Sequence, residues 1–204
     1  MTILAALDKI VLASGNPGKI KEFQTILEGH PIVPQNQFDV PDVAETGATF
    51  VENAIIKARN AARHCRMPAI ADDSGLVVDA LHGAPGVISA RYAGAGASDQ
   101  ENLQKLLRDM ADVPDRQRSA RFVCVIVFML HARDPMPVIA QGAWEGSILR
   151  QPVGSNGFGY DPVFWVPDRG CASAELPATQ KNAISHRSKA LRRLMTLLDG
   201  KVAL

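Results

Sequence analysis

The stretch LASGNPGKIKEF, Leu12 to Phe23, decides how this chain is read. It leaves the apolar run Lys9 to Ala13, crosses Gly15 and Gly18, and enters a segment where Ile20, Phe23 and Leu27 recur at the spacing of one helical face. A buried strand, a tight turn and a helix from Gly18 to Glu28 are expected, with Pro17 in the first helical turn, where the donor it lacks would be unpaired anyway. In an open α/β sheet such a turn lies beyond the carboxyl end of its strand, where a helix N-terminus attracts anions. The spelling excludes a Walker A loop, and with it the P-loop kinases and GTPases, because Ala13 stands where that loop needs Gly and Ile20 where it needs Ser or Thr. Two readings stay open: a phosphate cradle of Ser14, Gly15, Asn16 and Gly18 with the charge of Lys19, or a plain corner with a surface lysine. Glu22, on the same helix face as Lys19, is placed to orient it.

The rest of the chain supports an α/β sheet. After a proline-rich connector from Pro31 to Pro41, Thr49 and Glu52 have capping-box spacing and open an alanine-rich helix to about Arg66. Phe50, Ala54, Ala58 and Ala61 fall in one sector of it, and Asn53, Lys57, Asn60 and His64 in another that can face a cleft. MPAIADDSGLVVDAL reads as two short strands on either side of a turn at Asp72 to Gly75; Ser98 and Glu101 form a second capping box. SARFVCVIVFML reads as a central strand paired, across HARDP, with PMPVIAQGAWEGSIL, so the sheet is mixed. A short strand ends GFGYDPVFW, and a last helix runs from Ser185 to Asp199, stopped by Gly200.

With 22 basic and 21 acidic residues in 204, the chain has no broad pull toward nucleic acid or acidic membrane, so any bound anion is handled locally. The length suits one domain, residues 1–204, or one domain with two lobes. Cys65, Cys124 and Cys171 form no CxxC pair, which argues against a disulfide framework or zinc site and for a reducing cytoplasm. The apolar start meets Asp8 and Lys9 before it reaches the length of a signal core, and FVCVIVFML is far shorter than the roughly 20 residues of a membrane helix.

Four segments carry possible chemistry. Asp72 and Asp73 lie between apolar runs, where carboxylates are awkward to bury unless they serve a cation, a hydrogen-bond network or a substrate. On an extended strand they would face opposite ways, so both meet one ion only if the backbone turns, which Gly75 permits. Glu45, in the loop before the capped helix, suits a metal-binding carboxylate and equally plain solvent exposure. GSNGFGYDP, Gly154 to Pro162, suits close approach to a flat ligand or a hairpin packed into the core. Lys181, His186 and Arg187 fall at the start of the last helix, against the dipole preference, which hints at an anionic or acceptor-rich ligand.

Taken in order, SGNPGKIKE, ETGATFVENAIIKA, AIADDSGLVVDALHGAPGVISARYAG, GFGYDPVF and SHRSKAL resemble the inosine triphosphate pyrophosphatase family, most closely its bacterial XTP/dITP diphosphatase branch, from about Lys9 to about Leu198. The resemblance implies Mg2+-dependent hydrolysis of dITP, ITP and XTP to monophosphate and pyrophosphate. It implies an elongated α/β fold of two lobes with the active-site cleft between them, and a homodimer. Carried over, Ser14, Gly15, Asn16, Pro17, Gly18 and Lys19 would hold the triphosphate, with Lys57 as a further phosphate contact. Glu45 and Asp73 would bind Mg2+, Asp73 would also accept the proton, and Ser74 would lie beside the substrate. Phe158, Gly159, Tyr160, Asp161, Lys181, His186 and Arg187 would form the base pocket. A house-cleaning pyrophosphatase for other modified nucleotides, such as methylated pyrimidines, and a purine nucleotide sensor that does not hydrolyse its ligand are the alternatives.

Overall fold

A computed structural model describes residues 7–199. Along them run β1 (Ile10–Leu12), α1 (Pro17–Ile26), β2 (Ile32–Pro34), α2 (Phe50–Cys65), β3 (Ala69–Val78), α3 (Asp99–Asp109), β4 (Ser119–Met129), β5 (Val138–Ile148), β6 (Phe164–Val166), β7 (Cys171–Ala172), α4 (Ala178–Ile184) and α5 (His186–Asp199). The strands form one sheet of seven in the order β2-β1-β3-β4-β5-β6-β7. It is mixed: β1 runs parallel to β2 and to β3, while β6 is antiparallel to β5 and to β7. The α/β class with helices around a mixed sheet is therefore what the chain forms.

Local chemistry starts the helices where it was read. Pro17 occupies the first turn of α1, and the Asn16 side chain caps it by accepting from the Lys19 amide at 3.0 Å. Thr49 with Glu52, and Ser98 with Glu101, make reciprocal capping boxes at the heads of α2 and α3.

Three expectations are corrected. The connector Pro31 to Pro41 contains β2, short and at the sheet edge, where Pro34 can end a strand without removing a ladder bond from a central position. No turn interrupts β3 at Asp72 to Gly75: its residues are mostly buried, and a bend at Gly75 would leave main-chain groups inside without partners. Lys181, expected at the start of the last helix, lies in a separate α4, because Ser185, with ψ of 161°, is extended between α4 and α5; the last helix itself begins at His186, one residue from its expected start. Gly200, expected to stop α5, lies outside the described residues.

The chain divides into two compact units, with the boundaries inside β3, β4 and β5. The first comprises the residues through Asp73, Cys124–Gly142 and those from Arg187 onward; the second is Ser74–Val123 with Ala143–His186. In the first, Ile10, Leu12, Ile70, Ile126 and Phe128 of the sheet pack with Phe23 of α1 and Leu191 and Leu194 of α5. Ala54, Ala58 and Ala61 of α2 are all fully buried, a stripe of small side chains that lets this helix lie close to its neighbours. In the second, Leu76, Val78, Leu103, Leu106, Trp144 and Phe164 surround Phe122, whose ring centroid is 4.5 Å from that of Phe164.

Arg118 organises the second unit. Its buried guanidinium donates to the carbonyls of Ile148 and Met110, both at 2.7 Å, of Leu149 at 3.1 Å and of Val113 at 3.3 Å. It thus satisfies the end of α3 and the end of β5 together. Arg118→Ala is expected to lower unfolding stability by about 2–4 kcal/mol, since buried acceptors lose a charged donor. Arg118→Lys should recover little of it, because an ammonium cannot fork across the same carbonyls. Urea denaturation of the three proteins checks both statements.

Candidate active site

Because β3 stays extended, its consecutive side chains point to opposite sides of the sheet. Asp72 faces α1 and α5, with Oδ2 at 2.9 Å from Lys19 Nζ and 3.6 Å from Arg187 Nε. Asp73 faces α2, accepting from Lys57 Nζ at 2.8 Å and from Asn53 Nδ2 at 3.3 Å. The register places Leu12 of β1 opposite Ile70, so both aspartates lie just past the carboxyl end of β1, beside the turn Ala13 to Asn16. The turn and the acidic pair, far apart in sequence, are one neighbourhood.

On the α2 side, Lys57 donates to Glu45 Oε1 as well as Asp73 Oδ1, each at 2.8 Å. Burial, with Glu45 adding to it, pushes the Asp73 carboxyl above the usual carboxylate range against the pull of Lys57. Burial by itself would lower the Lys57 ammonium, but the charges of Asp72 and Asp73 and the bonds to Asp73 and Glu45 outweigh it and hold the pKa above the ordinary lysine value. Glu45 and Asp73 are thus two hard oxygen ligands already gathered around one cation. Among the described residues no group of three or more His, Cys, Asp or Glu is placed to hold a metal ion, and a magnesium ion needs only one or two carboxylates.

On the opposite side, charges alternate from Lys19 to Asp72 to Arg187 to Glu22, the last two in direct contact. Glu22 does not orient Lys19 itself, as its helical spacing suggested; it holds Arg187 of α5. Burial works against the Arg187 charge, yet Asp72, Cys124 and Glu22 together push its pKa above the ordinary arginine value. In the turn, Ser14 Oγ accepts from the Asn16 amide at 3.2 Å, Gly15 is exposed, and Pro17, Gly18 and Lys19 open α1.

The remaining expected residues belong to the second unit. Lys181 Nζ meets Asp161 Oδ2 at 2.5 Å and lies 4.9 Å from the Phe158 ring centroid. Asp161 also accepts from Ser173 Oγ at 2.8 Å and from the Phe158 amide at 2.9 Å. A side chain at Gly157 would put its Cβ 2.1 Å from Asp161, so glycine is required for this closure. Gly159 donates its amide to Asp99 at 2.8 Å, and the Tyr160 hydroxyl donates to the Ser89 carbonyl at 2.8 Å; burial raises the Tyr160 pKa. His186 stacks on Phe122 at 5.0 Å, and Ser74 follows Asp73 in β3, half-buried. Lys181 lies in the last turn of α4, where the helix dipole favours a cation, so the unfavourable placement read from the sequence holds only for His186 and Arg187.

The structure therefore groups Lys19 with Asp72 and Arg187, Lys57 with Glu45 and Asp73, and Phe158 with Asp161 and Lys181. Arg187 is held by Asp72 and Glu22 in the first unit, while Phe158, Asp161 and Lys181 form their cluster in the second. Of the second sector of α2, Asn53 and Lys57 reach Asp73, Asn60 donates to the Pro41 carbonyl at 2.8 Å, and His64 is exposed. Asp72, read only as half of an awkwardly placed acidic pair, and Asn53, read only as part of a cleft-facing sector, had been assigned no role in the site. The buried surroundings of Asp72 and the placement of Asn53 one helical turn before Lys57 were the available signals.

A sequence profile of the Ham1 family matches residues 10–197. The chain is 60% identical over 195 residues to a dITP/XTP pyrophosphatase of Vibrio cholerae, covering 95% of this chain and 98% of that protein. It is 55% identical over 194 residues to a dITP/XTP pyrophosphatase of Escherichia coli, covering 94% and 98%. The structure of a HAM1 protein from Coxiella burnetii superposes with a TM-score of 0.88 at 54% identity, covering 93% of this chain and 98% of that one. With the turn Ala13 to Asn16, the aspartate pair and the basic start of α5 all inside the matched span, the chain belongs to the Ham1 family.

Proposed function

We propose that this protein hydrolyses dITP, ITP and XTP to the monophosphate and pyrophosphate in a magnesium-dependent reaction, removing non-standard purines from the nucleotide pool. The observation that carries the proposal is the convergence of Lys19, Lys57, Glu45 and Asp73 beside one strand-to-helix turn, in a chain this similar to proteins that bear that activity in their names.

The reaction joins a water oxygen to the α-phosphorus, breaks the bond to the oxygen bridging α and β, and releases pyrophosphate. It needs alignment and charge neutralisation more than covalent help. The turn Ser14 to Lys19 would present its amides and the start of α1 to the phosphates. Lys19 and Lys57 would neutralise the charge that grows on the leaving pyrophosphate. Asp73 would take the proton of the attacking water. The magnesium ion would be held by Glu45 and Asp73, which already surround a cation, and when bound would lower the charge on the phosphates and the pKa of coordinated water.

Discrimination would rest on the six position of the base. Hypoxanthine and xanthine carry a carbonyl there, and adenine a donor. Donors from His186 or Arg187 would bond the carbonyl and face the amino group unpaired, which costs orders of magnitude in rate. Phe158, Gly159, Tyr160, Asp161 and Lys181 would complete the base site, and Ser74 would lie beside the substrate. We also propose a homodimer, as the family resemblance implies. We place it in the cytoplasm, since Cys65, Cys124 and Cys171 form no disulfide with one another. Among the described residues no helix is long and apolar enough to cross a membrane.

Two outcomes are expected. With Mg2+, dITP and XTP should give monophosphate and pyrophosphate, and dATP and a methylated pyrimidine triphosphate should react orders of magnitude more slowly; diphosphate plus orthophosphate would overturn the cleavage position, and binding without turnover would make the protein a sensor. Asp73→Asn should lower kcat by at least about 100-fold while leaving the melting temperature within a few degrees. Near-normal turnover in that variant would remove Asp73 from the mechanism.

A further inference from the structure

Asn53 is a fully buried polar side chain whose amide is held at both ends. Its Oδ1 accepts from the Gly47 amide at 2.8 Å, and its Nδ2 donates to Asp73 Oδ2 at 3.3 Å. The orientation is forced by its partners: a main-chain N–H only donates and a carboxylate only accepts, so the reversed amide would make neither bond. One short side chain on α2 therefore links the loop that carries Glu45, two residues before Gly47, to the carboxylate of Asp73. It also selects the oxygens of Asp73, occupying Oδ2 and leaving Oδ1 to Lys57 Nζ, which in turn meets Glu45.

The sequence around it fits this linkage and no bulkier one. A Cβ at Gly47 would fall 2.5 Å from Glu52 Cβ and 2.8 Å from Asn53 Oδ1, so only glycine lets the loop come close enough to donate. The capping box of α2, Thr49 with Glu52, fixes the helix start directly before Asn53. Gly47, Thr49, Glu52 and Asn53 form one closure that sets where Glu45 leaves the loop.

We infer that Asn53 is a positioning residue for the Glu45–Asp73 pair, setting their separation and turning Asp73 Oδ1 toward the Lys57 ammonium that Glu45 also meets, before a divalent ion arrives. The inference rests on the reading of that pair as the ion's ligands. Groups that orient metal ligands without touching the metal are worth about 10–100-fold in affinity.

Binding of Mn2+ alone to the full-length protein, followed by electron paramagnetic resonance of the free ion, tests it without turnover. Asn53→Leu and Asn53→Ala should each weaken Mn2+ binding about tenfold or more. In dITP hydrolysis both should shift half-saturation by Mg2+ upward by a similar factor, with kcat recovering toward the wild-type value at saturating Mg2+. If Asn53→Leu fails to fold, Asn53→Ala, which leaves room for a water, carries the test. Asn60→Ala also loses one bond from α2 to a distant segment, here the Pro41 carbonyl, and should leave Mn2+ affinity unchanged. Wild-type Mn2+ affinity in folded Asn53 variants would overturn the inference and leave the pair's role standing. Mn2+ binding that survives at wild-type affinity in the folded double variant Glu45→Gln, Asp73→Asn would overturn the underlying reading as well.

Discussion

Everything about the site depends on β3 remaining extended through two consecutive aspartates. The period of a strand is two, so adjacent carboxylates must serve different sides of the sheet. Asp72 gathers Lys19 and Arg187 on the side of α1 and α5. Asp73 gathers Lys57 and Asn53 on the side of α2. A turn at Gly75 would have aimed both at one point and produced a different site. As built, one strand supplies an anion to each side of the sheet, and the polypeptide keeps its ladder through a stretch it could not bury otherwise.

The two carboxylates accordingly live under different rules. Asp72 is almost wholly buried and faces two cations, one of them tied further to Glu22. Removing any member would leave a buried charge uncompensated, the costly case for ion pairs. Asp73 shares the Lys57 ammonium with Glu45, so two carboxylates already meet at one cation. That meeting point is what leads us to propose the α2 side for the metal.

Much of this was legible in the chain because local rules wrote it. Asn16 and Pro17 start α1, and both capping boxes start their helices where their spacing says. The central strands β4 and β5 announce themselves by apolar content. What failed was contextual. Gly75 signals a turn by propensity, but burial overrode it. Ile32 to Pro34 is too short and too near prolines to read as a strand, yet it pairs with β1 at the edge. Ser185 divides two helices through backbone angles that a serine does not advertise. The partner of Glu22 is Arg187, at the far end of the chain, and no helical spacing rule can see that distance. Asn53 was legible as a face of α2 and illegible as a link, because its acceptor bond goes to a loop whose path only Gly47 makes possible.

The most direct test of the division between the two aspartates is a crystal structure with Mn2+ and a non-hydrolysable dITP analogue, with the ion located by anomalous scattering. The account predicts an anomalous peak bonded to Glu45 and Asp73, with Lys19 still paired to Asp72. A peak bonded to Asp72, or one bonded to neither Glu45 nor Asp73, would contradict it.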